Sequence, residues 1–81
     1  MMNSQKFAEL FKSCWLDILD YELESDDMDF FEAGLDSINI IYLSEKINRY
    51  LDIPIEVHAL FYYPTLSSLI YYYYEKHHDY E

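Results

Sequence analysis

Seven apolar residues near the start of the chain, Phe7, Leu10, Phe11, Cys14, Trp15, Ile18 and Tyr21, recur at steps of three and four. Only a helix gathers that spacing onto one continuous face. The face is broad and aromatic, so other elements must cover it. Asn3 or Ser4 can cap its start, and the helix should end near Asp20 or Tyr21. The same spacing returns twice. Ile40, Leu43, Ile47 and Tyr50 mark the core face of a second helix that runs from Asp36 to about Tyr50. Leu66, Leu69, Ile70 and Tyr73 mark a last helix through about Lys76, with Thr65 as its cap. Between them, Asp52-Ile53-Pro54 breaks the pattern, because the residue before a proline resists helix. Ile53 and Ile55 fit a short extended link, and Glu56 to Tyr62 a brief helix. Strand alternation and internal repeats are absent. The expected fold is all-α: a small four-helix bundle with three longer helices, one short third helix, and a long loop between helices 1 and 2. Residues 1–81 form a single domain on this reading, with a polar, frayed tail at 77–81.

Charge narrows the function classes. Five Lys and Arg against sixteen Asp and Glu give a net charge of −11. Nucleic-acid phosphates and anionic membranes would repel such a chain, whereas basic protein surfaces would attract it. The plainer reading is that the acid only keeps a small protein soluble. Cys14 is the sole cysteine, which excludes an internal disulfide and suits a cytoplasmic setting. Its place on the apolar face fits a small buried side chain better than a redox centre. No apolar run approaches a membrane span, and the N-terminus lacks a signal-peptide core.

The informative segment is the junction between the first and second helices. Glu24, Asp26, Asp27 and Asp29 make this loop acidic, and Phe30 and Phe31 can pin it to the core. Gly34, the only glycine, should supply a backbone conformation that a side chain would forbid. Asp36 is a good N-cap, and Ser37 then stands in the first turn of the second helix. A helix N-terminus carries unpaired amides and a partial positive charge, so a phosphate-linked group is well placed there. A catalytic nucleophile would need a base, but the histidines are His58, on the short helix, and His77 and His78 in the tail. Nor does a glycine follow Ser37, as a hydrolase elbow requires. On the residues alone, Ser37 is either a helix-capping hydroxyl or a site modified by another protein. The acidic loop lacks EF-hand spacing, and His77-His78 is too short to argue for zinc, so no metal is expected. One helix cannot bury all of Tyr71-Tyr72-Tyr73-Tyr74; Tyr73 and Tyr72 should turn inward, and Tyr62 and Tyr63 could widen an aromatic patch.

Two motifs carry a family resemblance. Asp29-Phe30-Phe31-Glu32-Ala33-Gly34-Leu35-Asp36-Ser37-Ile38 resembles the D-x-F-F-x-x-G-x-D-S-[LI] signature of acyl and peptidyl carrier proteins. Leu60-Phe61-Tyr62-Tyr63-Pro64-Thr65-Leu66 is similar to the L-F-x-x-P-T-[LI] segment before that family's last helix. With the first helix, the resemblance covers nearly the whole chain. It implies that Ser37 is the attachment point for 4′-phosphopantetheine, installed from coenzyme A by a phosphopantetheinyl transferase with magnesium. The arm's thiol holds a cargo as a thioester, and separate enzymes act on it. Such a carrier has no turnover of its own. Its partners would be the transferase, a loading acyltransferase or adenylation enzyme, and ketosynthase, condensation or tailoring enzymes. Carried over by position, Leu35, Asp36, Ile38, Ile41 and Glu45 are the partner contacts; for Ile38 and Ile41 the alternative is ordinary rim packing. Leu35 stands where peptidyl carriers commonly have a second glycine, so the resemblance is nearer to polyketide-type acyl carriers and some aryl carriers. The expectation is a free-standing, monomeric acyl carrier of a polyketide or mixed polyketide–peptide pathway. A peptidyl or aryl carrier is the alternative, and an unmodified carrier-fold interaction module is an alternative of another class.

Overall fold

In the computed structural model, which describes residues 2–77, the chain forms α1 (Ser4–Leu19), α2 (Asn39–Asn48), α3 (Val57–Tyr62) and α4 (Leu66–His77). The described residues contain no strand, so the architecture is the expected all-helical bundle with a short third helix. The tail residues 78–81, read as frayed, lie outside the described residues, whereas the backbone of His77 belongs to α4.

Local chemistry explains each boundary. Asn3 caps α1 by accepting the Lys6 N–H on Oδ1 at 2.9 Å. At the other end Asp20 turns left-handed, with φ 65°, and its N–H closes on the Leu16 carbonyl at 2.9 Å. Thr65 caps α4 as expected: its Oγ1 accepts the Ser68 N–H at 3.1 Å, and the Ser68 hydroxyl accepts the Thr65 N–H in return. Helix α2 ends where the backbone tightens into three-residue turns, Tyr50 N–H to the Ile47 carbonyl at 3.0 Å and Leu51 N–H to that of Asn48 at 3.5 Å, and the Asn48 side chain reaches the link that follows. Its amide accepts the Ile55 N–H at 2.8 Å and donates to the Ile55 carbonyl at 2.9 Å. That double bond satisfies an extended segment that no helix or sheet could serve.

The core is a column of aromatic and aliphatic side chains. Phe7, Phe11, Cys14 and Trp15 enter from α1; Ile40, Leu43 and Ile47 from α2; Leu60 from α3; and Leu66, Leu69 and Tyr73 from α4. Phe30 reaches in from the long loop and stacks on Phe11 at 5.0 Å between ring centroids. Burying a side chain of this size contributes about 2–3 kcal/mol, enough to pin the loop that carries it. Backbone bonds hold the same loop: Phe30 N–H to the Pro64 carbonyl at 2.7 Å, and Ser67 N–H to the Asp26 carbonyl at 2.9 Å.

Several core assignments need correction. Tyr50, read as part of the α2 core face, is 59% exposed, because α2 ends at Asn48 and the helical phase is lost there. Tyr21 likewise falls beyond α1 and is 45% exposed. Leu10, Ile18 and Ile70 pack only at the edge of the core. Ser44, at the back of α2, is the buried polar residue that periodicity did not mark. The tyrosine run resolves into four separate environments. Tyr71 is exposed, Tyr72 stacks on Tyr63 at 4.3 Å, Tyr73 is buried with its hydroxyl on the Ile53 carbonyl, and Tyr74 donates to the Met2 carbonyl.

Candidate functional site

The site is built by two consecutive aspartate-capped turns. Asp29 caps the first: its Oδ1 accepts the N–H groups of Phe31 and Glu32 at 2.8 and 3.1 Å, and its carbonyl accepts that of Ala33. Gly34 closes this turn with φ +112°, the side-chain-forbidden conformation expected of the only glycine. Leu35 then drops into the core, and its N–H bonds to the Phe30 carbonyl at 3.0 Å. Asp36 caps the second turn. Its Oδ1 accepts the N–H groups of Ile38 at 3.0 Å and Asn39 at 2.7 Å, and its backbone carbonyl accepts that of Ile40. Regular α2 therefore begins at Asn39, with Ser37 on the turn just ahead of it.

Ser37 is exposed, and among the described residues neither its hydroxyl nor its N–H has a hydrogen-bond partner. The other serines of this part of the chain are placed differently. Ser44 is buried, Ser68 is tied to Thr65, and the Ser25 hydroxyl accepts the Asp27 N–H. Ser13 and Ser67 lie within helices. His58 is on the short helix as expected, but its imidazole faces Glu56 at 2.8 Å.

Charge around Ser37 is one-sided. No lysine or arginine occurs between Lys12 and Lys46, while Asp29, Glu32 and Asp36 lie within eight residues ahead of the serine. Lys12 is paired with Asp26 at 2.9 Å, and Lys46 with Asp17 at 3.5 Å. The Asp36 carboxylate already occupies the Ile38 and Asn39 amides at the entry of α2. A phosphate at Ser37 would thus share the helix field with a neighbouring carboxylate.

The partner-contact candidates separate by exposure. Ile38 and Ile41 are 63% and 46% exposed, and Asp36 and Glu45 are exposed as well. Leu35, at 4% exposed, presents almost no surface of its own. Its side chain anchors the turn to the core instead. Two exposed aromatic residues were missed at the sequence level, Tyr42 on α2 and Phe61 on α3, whereas Tyr62, read there as part of an aromatic patch, is exposed as well. Phe61 stacks on Phe31 of the first capped turn at 5.3 Å. The helical phase of so short a segment could not have found it.

A family model described as "Phosphopantetheine attachment site" matches residues 9–72. The chain belongs to this family. Its members carry a 4′-phosphopantetheine prosthetic group, so this protein is a phosphopantetheine carrier. Neither the curated proteins nor the solved structures contain a significant match to it. The residues fit the group: an exposed, unbonded hydroxyl with no side chain tied across it lies at the entry of a helix, inside the matched segment. Among the described residues, no helix of the carrier is long and apolar enough to cross a membrane.

Proposed function

We propose that Ser37 is the attachment residue, and that the protein is an acyl carrier of a polyketide or mixed polyketide–peptide pathway. It acts in the cytoplasm as a monomer, without turnover of its own. The observation that carries this reading is the free, exposed Ser37 hydroxyl on the Asp36-capped turn. The hydroxyl oxygen forms the phosphodiester when a phosphopantetheinyl transferase delivers the arm from coenzyme A. Bound there, the group supplies a terminal thiol that holds an acyl cargo as a thioester.

The chain's own residues present and steer. Asp36 fixes the turn, Leu35 ties it to the core, and Gly34 allows the bend between them. The absence of cations near Ser37 supports docking to basic partner surfaces, the transferase first. Ile38, Ile41 and Glu45 form the contact edge beside the serine. The burial of Leu35 favours the polyketide-type reading over the double-glycine peptidyl form, since a glycine there would leave that core position empty.

The test is direct. The protein is incubated with coenzyme A, magnesium and a broad-specificity transferase, and its intact mass is measured. One phosphopantetheinyl group should be gained by the wild type and none by Ser37→Ala. An unchanged wild-type mass with several transferases would instead identify an unmodified interaction module. Loading by an acyltransferase, and not by an adenylation enzyme, then tests the pathway class.

A further inference from the structure

Tyr21 ties the end of α1 to the loop that leads into Ser37. It follows Asp20, whose left-handed backbone ends α1 and redirects the chain. The Tyr21 ring stands nearly perpendicular to Trp15 (6.5 Å, 82°), and its hydroxyl donates to the Ala33 carbonyl, twelve residues on. Ala33 immediately precedes Gly34, where any side chain would strike the same hydroxyl. Gly34 is therefore required for its φ and also for the space Tyr21 fills. From Gly34 the chain passes through buried Leu35 and the Asp36 cap to Ser37. Residues 33–36 are thus held by the α2 cap at one end, by backbone bonds to Asp29, Phe31 and Phe30 and by buried Leu35 within, and by Tyr21 at the Ala33 carbonyl. The Tyr21 bond is exposed to water, so its effect falls on where the loop sits more than on whether the chain folds.

We propose that Tyr21 is a positioning residue for modification of Ser37: its hydroxyl holds residues 33–36 in the conformation that the transferase binds. The inference rests on the Ser37 reading above. Without the hydroxyl the segment samples other conformations, and only a fraction of molecules is ready to dock. The apparent affinity falls by that fraction, while the docked complex is unchanged.

Tyr21→Phe in the full chain removes one oxygen and leaves the ring against Trp15. With coenzyme A, magnesium and transferase, and with product read by intact mass, KM for the protein should rise about three- to tenfold while kcat stays within about twofold. Hydrogen exchange should quicken at the bonded amides of Gly34, Leu35, Ile38 and Asn39 and stay unchanged in α1 and α4. An unchanged KM overturns the proposal, as does a loss confined to kcat. A raised KM with faster exchange throughout the core also overturns it, because that marks a general loss of stability. Failure of the Ser37 reading is distinguishable: the wild-type protein itself then gains no mass, and the proposal falls with it.

Discussion

Replacing Asp36 by alanine and by asparagine separates its work as a cap from its work as a charge. Alanine removes both side-chain bonds, to the N–H groups of Ile38 and Asn39, and leaves only the backbone bond from Ile40. Loss of an N-cap costs about 0.5–2 kcal/mol. Both amides are exposed, so water replaces the lost oxygen in part, which places the cost near 1 kcal/mol. In a domain of this size that lowers Tm by about 4–8 °C. Asparagine keeps an acceptor oxygen and gives up only the charge at the helix terminus, about 0.3–1 kcal/mol at an exposed site. Removing one negative charge from a chain of net charge −11 offsets part of that loss. Asp36→Asn should therefore lose less in Tm than Asp36→Ala, measured by far-ultraviolet circular dichroism. Both variants should dock a basic transferase less well, with the deficit shrinking as salt rises. Equal melting of the two variants would refute the capping argument, as would an alanine variant that melts with the wild type.

Other residues give simpler expectations. Asn48→Ala strips both backbone partners from Ile55, whose side chain is buried, and should cost about 2 kcal/mol in urea unfolding; a loss below about 0.5 kcal/mol would refute the clamp. Ile41→Asp changes an exposed position, so helicity and Tm should hold, while cargo transfer to a partner enzyme should fall at least about fivefold. Lost helicity would return Ile41 to the core. Burial, and secondarily the Asp52 carboxylate, raise the Tyr73 phenol above its ordinary pKa of 10.0. The folded state thus favours the protonated phenol. Its contribution is complete below the unfolded value and fades as pH climbs through the folded one. Stability should therefore drop above about pH 10, and Tyr73→Phe should flatten that drop while losing about 1 kcal/mol at neutral pH with the bond to Ile53.

What could be read from the sequence divides along a physical line. Periodic burial and local capping were legible, because each depends on neighbours within a turn. Phe7, Phe11 and Trp15, the φ of Gly34, and the caps at Asp36 and Thr65 all follow from short-range spacing. Contacts between distant residues were not. Tyr50 continues the α2 pattern in sequence, but the backbone tightens into three-residue turns after Asn48 and the helix ends first. Tyr21 continues the α1 pattern, yet its hydroxyl serves Ala33. Leu35 occupies a position read as a contact, and only the packing of the whole loop reveals that it points inward. Around the candidate site, the Asp36 cap was legible in the sequence, whereas the exposure of Tyr42 and Phe61 needed the fold.

The two backbone bonds that join the acidic loop to the start of α4 also set an order of events. A growing chain makes Ser37 well before it makes Pro64 and Ser67. Until those residues arrive, the Phe30 N–H and the Asp26 carbonyl lack the partners they have in the folded protein. The loop that presents the serine is completed by contacts that close late and over a long separation. The Asp36-capped turn can form from its own neighbours, whereas the anchorage of the acidic loop ahead of it waits for the start of α4.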